Sequence, residues 1–81
     1  MYTKTQFGIE LKSLLNKNKS QFEIGKWAFS TYWEHISNLE SGIRSIALTL
    51  NTMEDGDEFI ISYEELNKIA DALIDGKDID L

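Results

Sequence analysis

The sequence predicts an all-α protein, a compact antiparallel four-helix bundle, on three observations. Apolar residues recur at helical spacing along most of the chain. Proline is absent, so nothing interrupts a helix interior. Three Ser-x-x-Glu signatures each precede an apolar stretch: Ser20 to Glu23, Ser37 to Glu40 and Ser62 to Glu65. In such a capping box the serine oxygen accepts from the backbone N–H three residues on, while the glutamate reaches back to the serine N–H. At 81 residues the chain is a single domain, residues 1–81, too short to bury two cores.

The first helix is expected over about residues 5–17, where Phe7, Leu11, Leu14 and Leu15 make one apolar stripe. Asn16 to Lys19 reads as a polar connection. The second helix, about 20–36, starts at the Ser20 box and is the most aromatic part of the chain. Phe22, Phe29, Tyr32, Trp33 and Ile36 are assigned to its buried face, which Ile24, Trp27 and Ala28 widen. Trp27 and Tyr32 are the aromatics expected at the surface if any is exposed. Gly25 costs this helix up to about 1 kcal/mol and permits a close helix crossing.

The third helix, about 38–54, follows the Ser37 box with the stripe Leu39, Ile43, Ile46, Ala47, Leu50 and Met53. Gly56 is expected to end it at positive φ. Phe59, Ile60 and Ile61 read as an extended connector held to the core by Phe59 and Ile61. The fourth helix, about 62–75, follows the Ser62 box with Leu66, Ile69, Ala70 and Leu73 inward and Gly76 past its end. Residues 77–81 are expected to fray. Short connections make consecutive helices antiparallel neighbours.

Charge narrows the function classes. Residues 1–50 carry four acids and six bases, a balance of +2, whereas residues 51–81 carry ten acids and two lysines, a balance of −8. Phosphates need a positive footprint, so direct binding to DNA or RNA is not expected. No stretch is long and apolar enough to span a membrane, and no basic start precedes an apolar run as in a signal peptide. Without cysteine there is neither a disulfide scaffold nor a thiolate metal site, and a cytoplasmic location is the simplest match.

No enzymatic chemistry is legible. Counted from Asp55, an EF-hand loop would need a ligand where Phe59 stands, glycine where Ile60 stands and glutamate where Leu66 stands, so no metal is expected. His35, the single histidine, has no cysteine or metal-ligand companion and reads as a surface or partly buried residue. Gly-rich phosphate loops and nucleophile elbows are missing too, so the chain reads as a non-enzyme without cofactors. What remains is the stretch NTMEDGDEFIISYEEL, with six acids and no base. Glu64 and Glu65 suit the first turn of a helix, but Glu54 and Asp55 sit at a helix end where the macrodipole disfavours negative charge. Two readings stay open for the set: a solvated surface, or a surface shaped for a basic partner.

The layout resembles the small immunity proteins of the colicin D type, bacterial inhibitors that protect a cell from its own nuclease toxin. The resemblance covers about residues 7–75. It runs through a leucine-rich helix (GIELKSLLN), a serine-led aromatic helix (SQFEIGKWAFSTYWEHI), a third amphipathic helix, an acidic break, and a helix opened by serine and paired glutamates (SYEELNKIADAL). It implies an acidic protein that binds a basic RNase- or tRNase-type toxin domain and blocks its active site with carboxylates in place of RNA phosphates. Carried over by position, the contact surface would be Glu54, Asp55, Asp57, Glu58, Glu64 and Glu65, with Tyr63 or Phe59 as the buried anchor such a complex needs. The first two helices depart from that pattern in offering only Glu10, Glu23 and Glu34. Two alternatives use the aromatic helix instead: an acidic adaptor or regulatory protein that presents it to a partner, and a homodimer with that helix as its seam. Monomer and dimer both remain open.

Overall fold

Polar side chains that can satisfy free backbone N–H groups decide where the helices begin. The computed structural model describes residues 1–79. Among the described residues, four α-helices form: α1 (Lys4–Asn16), α2 (Gln21–Glu34), α3 (Ile43–Asn51) and α4 (Tyr63–Ile74). Ser20 and Ser62 cap α2 and α4, accepting from the backbone N–H groups of Glu23 at 3.2 Å and Glu65 at 3.1 Å, which is the serine half of each expected capping box. Thr3 caps α1 with a complete capping box: its hydroxyl accepts from the Gln6 N–H, and Gln6 Oε1 accepts from the Thr3 N–H at 2.9 Å.

Ser37 caps nothing, and the helix expected over 38–54 is shorter at both ends. The chain leaves α2 at Glu34 and re-enters a helix only at Ile43, from Gly42 at φ +96. Long-range bonds take the residues of the local signature. Tyr2 pairs with this connection, its N–H donating to Asn38 O and its carbonyl accepting from the Glu40 N–H, both at 2.9 Å. The Glu40 carboxylate accepts from the Lys4 N–H at 2.8 Å, a free donor in the first turn of α1. After Asn51 the chain tightens into a 3-10 turn over Thr52–Glu54.

The closest helix pairs are α1 with α4 and α2 with α3. Both pairs are antiparallel. Thr5 Oγ1 donates to Ile74 O at 3.1 Å, whereas Lys12, two turns on, reaches Asn67 and Asp71 at 2.9 Å each. Gly25, near the start of α2, lies against the end of α3: a Cβ there would stand 3.0 Å from Leu50 O. The close crossing expected at Gly25 is therefore present, and Gly8 makes a closer one with α4. The core between the pairs holds Phe7, Leu11 and Leu15 of α1, Ile24, Ala28 and Tyr32 of α2, Ile43, Ile46, Ala47 and Leu50 of α3, and Leu66, Ile69, Ala70 and Leu73 of α4.

Helix α2 buries only part of the face assigned to it: Tyr32 and the widening residues turn inward, so Trp27 and Tyr32 are not the exposed aromatics. Ile24, Ala28, Thr31 and Tyr32 are buried, and Trp27 packs against the core with its ring 4.7 Å from that of Phe7. Phe22, Phe29, Trp33 and Ile36 are exposed. The missing side chain at Gly25 lets the two backbones meet on the inward side. Phe59 is exposed as well, inside a second 3-10 turn (Asp57–Phe59), so only Ile61 holds the connector to the core. Gly56 is extended, with φ 162, and makes no left-handed cap. Gly76, at φ +74, does end α4 as expected. Beyond it the chain is tied down: Asp78 accepts from Lys4 Nζ at 2.5 Å and Ile79 packs on the core, so fraying does not begin at residue 77. The part of that expectation covering 80–81 lies outside the described residues. Among the described residues no helix is long and apolar enough to cross a membrane.

Candidate functional site

This topology brings the end of α1, the start of α2, the end of α3 and the start of α4 to one end of the bundle, and the acidic stretch forms much of its surface. Two tight turns fix the backbone there. The Asp55 N–H donates to Thr52 O at 2.9 Å, the Phe59 N–H to Gly56 O at 3.1 Å and the Ile60 N–H to Asp57 O at 3.2 Å. Met53, buried between the turns and the core, anchors the loop from beneath. The loop is thus a defined platform built on two short 3-10 turns, with no α-helix or strand of its own.

The expected contact residues divide into two groups. Asp55, Asp57, Glu58, Glu64 and Glu65 are exposed. Among the described residues, Glu64 alone of these five has a cation in reach, Lys68 Nζ at 3.7 Å. Glu58 folds back over Gly56, where a Cβ would lie 3.1 Å from its Oε2; Gly56 thus leaves space for a side chain. Glu64 and Glu65 also lie in the first turn of α4, where the helix dipole favours them.

Glu54 belongs to the second group. It is half-buried, and its Oε2 accepts at 2.8 Å from the Asn51 side-chain amide, which also donates to Gly25 O at 3.1 Å. The carboxylate therefore braces the α2–α3 crossing, which accounts for an acid at an electrostatically unfavourable helix end. Tyr63 has a structural bond too: its hydroxyl donates to Lys19 O at 2.9 Å and ties α4 to the α1–α2 connection. Its ring borders a shallow depression of about 350 Å³ lined by Leu15, Asn18, Tyr63 and Asn67. Neither Tyr63 nor Phe59 is buried beforehand, so either ring could anchor a partner only by being covered on binding.

The same end is not uniformly negative. Lys19 lies 3.7 Å from Glu23, and Lys17 is exposed at the end of α1. The negative potential therefore concentrates on the α3–α4 side. At the opposite end His35 stacks on Tyr2, with ring centroids 4.1 Å apart and planes within 8°, a packing role for the single histidine.

A second surface was assigned to the core by sequence reasoning. Phe22, Phe29 and Trp33 line the outer side of α2, with Ile36 in the turn beyond its end and Lys26 between them, its ammonium 5.6 Å from the Phe22 ring centroid. The signal that could have found it is Gly25. Gly25, where α3 approaches, lies beside a second stripe, Ile24, Ala28, Thr31 and Tyr32 at i, i+4, i+7 and i+8, and that stripe marks the inward side.

No family model matches the chain, and no curated protein or solved structure matches it at a significant level.

Proposed function

We propose that the protein is an inhibitor of the immunity type, which binds a basic nuclease toxin domain through its acidic end and covers that domain's active site. The observation that carries this reading is the presentation of Asp55, Asp57, Glu58, Glu64 and Glu65 on a platform fixed by consecutive turns, with one lysine in ion-pair reach of the five. Fixed carboxylates of one sign focus the encounter with a basic partner and raise its on-rate. The proposal gives the chain no catalytic role and no cofactor, and places it in the cytoplasm, where a cysteine-free chain needs no oxidising compartment. The resemblance to colicin D-type immunity proteins supports the choice of partner class.

The test is to capture partners at low and at about 0.15 M salt, then measure the affinity of any basic protein retained for the wild type and for the Asp55→Lys, Asp57→Lys, Glu58→Lys triple variant. A loss of roughly tenfold or more, mostly in association rate, is expected. Equal affinity of the two proteins would remove the acidic end from the interface. Glu54 is left out of the variant because of its bond to Asn51.

A further inference from the structure

The outer face of α2 carries more apolar surface than a free helix needs. Phe22 is 52% exposed, Phe29 40%, Trp33 54% and Ile36 44%. Within α2, Phe22, Lys26, Phe29 and Trp33 fall at spacings of four, three and four, the a/d rhythm of a coiled-coil seam, and Ile36 extends the stripe from the turn beyond the helix end, while the opposite side of the same helix is already packed in the core. Phe29 and Trp33 meet edge to face at 6.0 Å, so the middle of the stripe is a pre-set aromatic pair.

We propose that this stripe is the seam of a homodimer, in which α2 of two copies pack antiparallel about a two-fold axis between Lys26 and Phe29. Three features favour a second copy as the occupant. Within α2 the spacing of four, three and four reads the same in both directions, so an antiparallel partner with the same sequence sets each Trp33 against Phe22 of the other copy and each Lys26 against Phe29. An isologous contact needs only this self-complementarity.

Area is the second feature. About 200 Å² per complete large side chain makes the exposed part of the stripe roughly 400 Å² on each copy. Adding the Lys26 stem and the neighbouring flanks brings a two-copy seam to about 1,000 Å², the lower edge of specific interfaces. A weak dimer is the matching outcome, with a dissociation constant of order micromolar to tens of micromolar.

Charge is the third. The acidic ends would repel if α2 packed in parallel. The antiparallel arrangement sends them to opposite ends of a 14-residue helix, about 20 Å apart or more, well beyond the screening length of about 8 Å at physiological salt. Lys26 is the one charge inside the stripe. A single lysine at an a position costs stability and selects register and oligomer state.

Sedimentation equilibrium of the wild type from about 5 to 500 µM tests the seam, with Trp33→Glu and Phe29→Glu as variants. Both side chains are largely exposed, so the variants should keep the wild-type helical circular dichroism. The expected result is a wild-type monomer–dimer equilibrium weakened at least about 100-fold in each variant and unchanged in the acidic triple variant. A wild type that stays monomeric throughout overturns the proposal, as does a dimer that persists in both variants. Orientation is read separately, because the cysteine-free chain accepts single cysteines. Oxidation should cross-link Ser30→Cys to itself faster than Glu23→Cys; the reverse order would overturn the antiparallel seam. The dimer and the acidic-end interface stand on different residues, and each can fail alone.

Discussion

Gly8 shows how much one missing methyl group can carry. A Cβ there would stand 2.8 Å from the Ile74 backbone nitrogen, 2.8 Å from Leu73 Cβ and 2.9 Å from Ala70 O. Two of these neighbours are backbone, so α1 and α4 would have to separate to admit an alanine. Alanine is a better helix former than glycine by about 1 kcal/mol, but overpacking a seam of this kind costs about 1–3 kcal/mol. The two effects oppose each other, and steric clash should win at Gly8. Gly25 is a milder case, with its tightest contact at 3.0 Å and the next a flexible Glu54 Cγ at 3.4 Å. Gly8→Ala is therefore expected to lower the urea midpoint clearly, and Gly25→Ala to lower it less. Gly8→Ala as stable as the wild type would show that the α1–α4 crossing relaxes freely.

The helices themselves separate what can be read locally from what cannot. Ser20 and Ser62 cap because their bonds close within four residues, and the core stripes of α1, α3 and α4 follow from periodicity alone. Ser37 carries the same signature and fails, because Glu40 and Leu39 are engaged by residues 2 and 4, more than thirty positions away. No local rule weighs that competition. The inward face of α2 was hidden for a related reason: both sides of the helix are apolar, and the choice was made by packing against α3 and against Phe7 of α1, which are distant in sequence. The acidic end was legible as composition, down to five exposed carboxylates, but the bond from Tyr63 to Lys19 and the Asn51 amide that bridges Glu54 to Gly25 reach segments distant in sequence. These differences are measurable. Ser62→Ala should cost about 1 kcal/mol, the usual value of a lost N-cap, and so should Ser20→Ala. Ser37→Ala should fall within about 0.5 kcal/mol of the wild type, as surface changes away from special features do. A cost at Ser37 equal to that at Ser62 would mean that α3 begins earlier than Ile43 in solution.

At the end opposite the acidic surface, a clasp joins the first residues to the middle and last parts of the chain. Tyr2 is buried, bonded through its backbone to residues 38 and 40, stacked on His35, and its hydroxyl donates to Glu10. Lys4 is buried beside it, 2.5 Å from Asp78 and 3.7 Å from Glu40. The bond to Asp78 holds the Lys4 ammonium above the usual lysine range, and burial beside Glu10 pushes the Tyr2 phenol above its usual range. Both groups are protonated at neutral pH and keep their protons longer in the folded chain than in the unfolded one. The sign follows: their contribution to stability is complete below the ordinary values of about 10 and 10.4, and it is lost as pH rises through the higher folded values. The urea midpoint should therefore hold up to about pH 9 and fall above about pH 10. Tyr2→Phe removes one of the two retained protons. It should lower the midpoint at neutral pH through the lost bond to Glu10, yet make the alkaline decline shallower. Parallel declines in the two proteins would mean that Tyr2 titrates alike in the folded and unfolded chains, and that the clasp does not shield its hydroxyl.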